Sequence, residues 1–341
     1  MRRRRVALAV LAAVLLGAVL LGVGMGTVPI SPGTTLRLIA WKLGLADGPV
    51  DASTAVILFE LRIPRVALAI LVGGSLACAG TLFQAMFRNP MADPAIIGVS
   101  SGAALGAIIA ILAGGGLVLG GLAVPLAGFV GALAVAFLVY RLGRIGPTVQ
   151  VGTLLLAGIA VAAVVSAVIS LIMSYSGEQI RSIYFWLLGG LAGRGWDAVA
   201  ASSPLVVLGL VLAWVETRDL NAVALGEERA AQLGVDVERF KRVALATGAL
   251  LTAAAVSVAG VIGFVGLMTP HILRLVLGAD HRRLLPAAAL GGAAFMVLAD
   301  LAARTVVAPE EIPVGALTAI LGGPFFLYLL RRERKAAGER G

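Results

Sequence analysis

Side chains able to do chemistry are few in this chain and sit at the ends of apolar stretches. Leu61-Arg-Ile-Pro-Arg65 sets two guanidinium groups at the mouth of one such stretch. Asp300 precedes Arg304 by four residues, helix spacing for an ion pair near the end of another. Asp300 is the exception among acids, which are otherwise nearly missing from the apolar runs where a proton relay would need them, and structural pairing with Arg304 is its better reading. His271 and His281 stand ten residues apart with no cysteine partner, so no metal-ligand cluster is predicted; His271, after Pro270, reads as a helix-start or packing residue. No Gly-x-x-x-x-Gly-Lys-Ser/Thr phosphate cradle occurs. The sequence therefore predicts no catalytic residue, no cofactor and no ATPase site in this chain. The lone cysteine, Cys78, lies beside Gly73, Gly74 and Gly80 and reads as a packing residue. Gln84-Ala-Met-Phe-Arg-Asn-Pro90-Met-Ala-Asp-Pro94 joins two prolines and an amide in what must be a rigid turn.

The elements that position these groups are membrane spans. Of 341 residues, 60% are hydrophobic and 13% charged, and mean hydropathy is +1.02, which excludes a soluble globule with a polar surface. Apolar stretches near 6–26, 62–84, 94–114, 119–140, 149–172, 198–216, 242–260, 268–278, 285–303 and 313–330 predict an all-α polytopic protein, a single transmembrane domain of about ten helices. The eighth is too short to cross as a regular helix. The segment Gly260-Val-Ile-Gly-Phe-Val-Gly-Leu-Met-Thr-Pro270 before it has the composition of a broken or re-entrant piece. The first stretch, after Arg2–Arg5, is read as a retained span and not a cleaved signal.

Lys and Arg are distributed unequally between the two sides. Arg2–Arg5, Arg88, Arg141, Arg144, the 217–241 loop, Arg282, Arg283 and the tail share one side. The other has only Arg37, Lys42, Arg62, Arg65, Arg181, Arg194 and Arg304. The positive-inside rule makes the richer side cytoplasmic, with both termini there. The net charge of +9 is thus topological, and no nucleic-acid partner is implied. One predicted cytoplasmic loop, 217–241, is long: Ala224, Leu225, Ala230, Ala231 and Leu233 alternate with charges at helical spacing, and Gly226 and Gly234 punctuate two short helices. Small amphipathic helices in that place suggest a docking surface for a soluble partner. The 44 glycines cluster in the spans with Ala and Ser, a signal for close helix packing.

The order Arg62-x-Pro64-Arg65, Gly73-Gly-Ser-Leu-Ala77, Gly80, Gln84, Arg88-Asn-Pro-Met-Ala-Asp-Pro94 and Gly98-Val-Ser-x-Gly102-Ala103 resembles the FecCD-type permease subunits of ABC importers for iron-siderophore complexes, haem and cobalamin. The second half agrees, through Ala224-Leu-Gly226, Ala231-x-Leu-Gly234-Val235, Gly263-Phe-Val-Gly266, Pro270-His-Ile-x-Arg274, Asp280-His-Arg282, Asp300-x-x-x-Arg304 and Ile312-Pro313-Val-Gly315. The resemblance covers about residues 60–330. A departure is Met91, where Leu is common in the family.

The resemblance implies the type II importer fold, a homodimer with the pathway on its axis, two cytoplasmic P-loop ATPase subunits and a periplasmic substrate-binding protein. It further implies docking of the binding protein at Arg62, Arg65 and Arg304, and an inner gate at Asn89, Pro90 and Met91 with the 146–150 loop as neighbour. ATPase coupling would fall to Ala224, Leu225, Gly226, Glu227, Ala231, Leu233, Gly234 and Val235. Residence in the bacterial inner membrane, in contact with lipid, follows. In the predicted outer loop 173–197, Arg181, Tyr184 and Trp186 suit the propionates and face of a porphyrin, so haem is slightly favoured over a ferric siderophore or cobalamin as substrate. A secondary transporter or a channel is the alternative reading; the missing coupling acids weigh against the first, and the helical loop would go unexplained in the second.

Overall fold

The computed structural model describes residues 2–26, 28–48, 51–115 and 121–338, with side chains described between 6 and 331. Eight described helices are long and apolar enough to cross a membrane. They are α1 (Arg2–Gly24), α4 (Ile63–Met86), α6 (Ala123–Leu142), α7 (Val151–Ser174), α9 (Trp196–Val215), α12 (Val237–Ala259), α14 (His281–Ala303) and α15 (Val314–Gly338). Two shorter apolar helices, α5 (Val99–Leu112) and α13 (Val265–Leu277), complete the predicted set of ten. At 13 residues α13 is about 20 Å long, short of a ~30 Å hydrocarbon layer. Smaller helices α2 (Pro32–Lys42), α3 (Ala52–Val56), α8 (Ile180–Leu188), α10 (Thr217–Val223) and α11 (Glu227–Gln232) lie between them, and a two-stranded hairpin, β1 (Arg144–Ile145) with β2 (Thr148–Val149), joins α6 to α7.

The middle of the molecule is α4, buried on all sides and packed against α14, α12, α13 and α9. Glycine makes these approaches possible. A Cβ on Gly73 would overlap the Gly292 carbonyl of α14, and one on Gly80 would overlap the Gly266 carbonyl of α13. Gly102 and Gly131 play the same part between α5 and α6. By contrast α7 and α9 bury few positions and present Leu156, Ile159, Val164, Leu171, Val207 and Val211 outward, which a bilayer can cover but water cannot.

Three boundaries differ from the sequence expectation. The second span begins ten residues earlier, because α3 runs through a π-helical turn, Ile57–Arg62, directly into α4, giving one unit from Ala52 to Met86. The third predicted span is broken: Pro94–Ile97 forms a 3-10 turn, and Gly98, at φ 77°, redirects the chain into α5. The seventh starts at Val237, since the Asp236 side chain accepts from the Arg239 N–H and caps α12 there, so the last residues of the expected loop are helical. The predicted break before the eighth span is present as Gly260–Phe264, non-helical between α12 and α13. Buried at this depth its polar groups need partners; the Gly260 N–H donates to the Val256 carbonyl, and the Phe264 carbonyl accepts from the Met268 N–H.

Candidate functional site

Functional side chains collect at the two ends of the bundle. At one, the arginine end, α1 stops at Gly24 and leaves its last carbonyls without helical partners. Arg62 Nη1 donates to the carbonyls of Val23 (3.0 Å) and Gly24 (2.8 Å), and its Nη2 to that of Val28. Arg304 Nη2 donates to the Gly22 carbonyl. Two guanidinium groups thus close the electronegative end of α1, and both residues are only 5% exposed. Asp300 is also buried, but its near partner is Arg65: Nη2 lies 2.8 Å from Oδ1, whereas Arg304 Nε stands 3.5 Å from Oδ2. The expected Asp300–Arg304 pair therefore exists as the longer arm of a triad. Arg65 also forks onto Glu311, with Nη1 and Nη2 each 2.9 Å from a carboxylate oxygen. Sequence reasoning missed Glu311; the only signal was an acidic pair, Glu310-Glu311, on the same side as Arg62, Arg65 and Arg304.

Two cavities adjoin this triad. One, of about 360 Å³, lies under α8 and the Gly260 break, with Arg65, Trp186, Arg194 and Glu311 on its wall. The other, about 480 Å³, is bounded by Glu60, Arg62, Arg65, Arg194, Arg304 and Glu311. Burial holds the Arg194 guanidinium below its usual value. The structure does not bring Arg181, Tyr184 and Trp186 together. Trp186 is buried on the cavity wall, whereas Tyr184 is exposed and Arg181 sits 5.8 Å over the Phe185 ring, and neither of these two lines either cavity. Arg181 and Tyr184, three residues apart, share the exposed face of α8, whereas Trp186, five and two residues from them, lies on the buried face.

At the opposite end, the loop end, Asn89–Met91 follows α4 as a tight turn. The Asn89 Oδ1 accepts from the Met91 N–H (2.9 Å), and the Gln84 amide donates to the carbonyls of Gly266 and Leu267, fastening the turn to α13. Burial pushes the Asp93 carboxyl up, against the opposing pull of N–H groups from Ala95 and Phe264. Gly158 of α7 packs so closely on Ile96 that a Cβ there would meet its carbonyl.

Beside this turn, α10 and α11 stand out from the bundle. Gly226, at φ 115°, links them, a backbone state only glycine adopts without strain. At the far end of α11 the N–H groups of Gly234 and Val235 bond back to the carbonyls of Ala231 and Ala230, a Schellman closure with Gly234 at φ 82°. Ala224, Leu225, Ala231, Leu233 and Gly234 are exposed, Gly226, Glu227 and Val235 half-buried, and Ala230 faces inward. Two attachments hold the pair. Asn221 of α10 donates to Asp280 (3.0 Å) and accepts from the His281 N–H (2.8 Å) at the start of α14. Glu227 of α11 pairs with Lys241 Nζ at 2.7 Å. No group of three or more His, Cys, Asp or Glu side chains able to hold a metal occurs among the described residues.

Helices tied by glycine contacts around a buried α4, a broken segment between α12 and α13 and a two-helix ledge at one end make a multi-pass membrane protein, and comparison with solved structures makes it an ABC transporter permease of the type II fold. A solved structure described as an inward-facing conformation of a metal-chelate type ABC transporter superposes with a TM-score of 0.83 at 30% identity, covering 95% of this chain and 98% of that one. The FecCD transport family model matches residues 13–332, and the chain belongs to that family. It is 49% identical to the cobalamin import system permease protein of Halobacterium salinarum, over 87% of this chain and 79% of that protein. It is 44% identical to the hemin transport system permease protein of Yersinia pestis, over 81% and 83%, and 38% identical to the Fe(3+) dicitrate transport system permease protein of Escherichia coli, over 94% and 96%. Its role is that of an importer permease, a transport component and not itself a catalyst.

Proposed function

We propose that this chain forms the homodimeric membrane core of an ATP-driven importer in the cytoplasmic membrane, passing a large metal chelate or tetrapyrrole inward from a soluble binding protein. The loop end faces the cytoplasm in this reading, with both termini, and the arginine end faces outward. The observation that carries it is the ledge of α10 and α11. Leu225 and Leu233, 56% and 61% exposed, are large apolar side chains outside the lipid-spanning helices, and such a surface is covered by a protein partner. That partner is a separate P-loop ATPase subunit, one per copy of this chain.

Binding-protein docking falls at the outer rim, where Arg65 reaches the surface beside Glu311. Arg62 and Arg304 serve the same rim from beneath, by fixing the end of α1. The turn at Asn89, Pro90 and Met91 is the inner gate, and the cargo descends between it and the cavity carrying Trp186. Relatives named for cobalamin, hemin and ferric dicitrate share the scaffold, so the cargo class is a metal held in a large organic ligand. A proton-coupled carrier would need a buried acid free of fixed partners, whereas Asp300 is bound by Arg65 and Arg304 and Asp93 accepts from the Ala95 N–H as the cap of its turn. Affinity purification through a tag on this chain tests the reading. A stable complex with a P-loop ATPase is expected; a chain that purifies alone from membranes rich in such an ATPase contradicts it.

A further inference from the structure

Lys241 does more than hold α11. It sits in the first turns of α12 with its side chain 6% exposed, too deep to touch a soluble partner. Its Nζ reaches three acceptors on three elements: Glu227 of α11 at 2.7 Å, Glu238 of α12 at 3.1 Å and the Val149 carbonyl of β2 at 3.2 Å. The far oxygen of Glu238 accepts from the Val149 N–H at 2.7 Å, so both polar groups of that residue are held. An ammonium group has three protons, and here each has a destination.

The Glu238 and Val149 arms resist being pulled apart, because losing them would leave a buried ammonium and amide without partners; the Glu227 arm, with a carboxylate side chain 44% exposed, is the weaker link that fastens α11 to them. Elements joined through Lys241 move together. One joined element is α11, on the exposed ledge; another is the hairpin Arg144–Val149, which continues after one residue into α7. Helix α7 is among the loosest of the long helices in its own subunit, burying only Leu154, Gly158, Val165 and Ile169. Its contact at Gly158 is with Ile96, just beyond the Asn89–Asp93 turn.

We infer that Lys241 is a positioning residue that locks α11 to the 144–149 hairpin, so that a displacement of the ledge by the ATPase is delivered to α7 and through it to the turn at Asn89–Met91. The inference rests on the importer reading, and it assigns the route by which the ATPase would work the gate. A ledge that merely anchors the ATPase would need no tie to the hairpin that leads into α7.

The test follows one distance. Thr148 is exposed on the hairpin, so Thr148→Cys in a Cys78→Ala background carries a spin label in each copy of the dimer, within the complete complex. Between nucleotide-free and ATP-bound states the label-to-label distance should change. Lys241→Met should cut the shifted population about tenfold while the ATPase stays bound and hydrolyses ATP at a rate within about twofold of the parent. Lys241→Arg should restore most of the shift. Glu238→Gln, which keeps shape and the Glu227 arm, should cut it by roughly threefold and stands in if the methionine variant misfolds. A Lys241→Met complex with the parent's full shift overturns the inference, as does a parent complex whose label distance ignores ATP. A parent chain that binds no ATPase sinks the importer reading and the inference together.

Discussion

Replacing Asp300 by Asn keeps the shape of the side chain and removes the one negative charge shared by Arg65 and Arg304. Asp300 is 1% exposed, and Arg65 is 12% exposed at its side chain. Breaking a buried pair by neutralising one partner commonly costs about 3–5 kcal/mol, since the remaining charge stays desolvated. Arg65 keeps its two bonds to Glu311, so the loss should fall near the lower figure, about 3 kcal/mol. Arg304 would retain only the Gly22 carbonyl, so its hold on the end of α1 should weaken. Glu311→Gln removes a partner whose side chain is 35% exposed, where water and salt already screen the charge, and should cost under about 1 kcal/mol. The double variant leaves Arg65 with neither carboxylate and should lose clearly more than the sum. The assay is the folded fraction of purified protein in mixed micelles against denaturant, read by size-exclusion chromatography. Equal losses for the two single variants, or a neutral Asp300→Asn, would refute the view that the buried triad and not the exposed fork holds this end together.

Gly80→Val should prevent α4 from seating on α13 and abolish monodisperse protein, because its Cβ would overlap the Gly266 backbone, whereas Gly17→Ala, with open space around it, should change nothing by the same chromatography. Gly226→Pro should detach the ATPase without harming membrane insertion, since φ 115° is closed to proline and the ledge lies outside the spans; copurification in normal yield would show that another surface does the coupling. Met91→Cys with Cys78→Ala should form a crosslink between the two copies in at least one nucleotide state, which requires Cα atoms within about 7 Å; no crosslink in any state would take Met91 away from the gate.

Much of the architecture was legible because lipid enforces it. Span length, flanking charge and glycine clusters are local properties, and the ten apolar helices, the break after Gly260 and the two glycines bounding α11 all follow from them. What escaped is tertiary. Nothing in Arg62 or Arg304 taken alone says that they cap α1, because the carbonyls they serve are 39 and 282 positions away. Asp300 has Arg304 at helix spacing, yet Arg65, 235 positions distant, comes closer. Trp186 is near Arg181 and Tyr184 in sequence and parts from them in space, since the helix turns it to the buried face. The early start of α12 had a local signal, Asp236 followed by Glu238, which the charge of the surrounding loop obscured.

The most direct measurement is uptake into proteoliposomes that hold this chain with its ATPase, with binding protein outside and cobalamin, haem or a ferric chelate as cargo. The account predicts accumulation of at least one of these that requires ATP on the ATPase side, requires the binding protein on the other, and persists when proton and sodium gradients are collapsed. Uptake that proceeds without ATP and stops when those gradients are removed would contradict it.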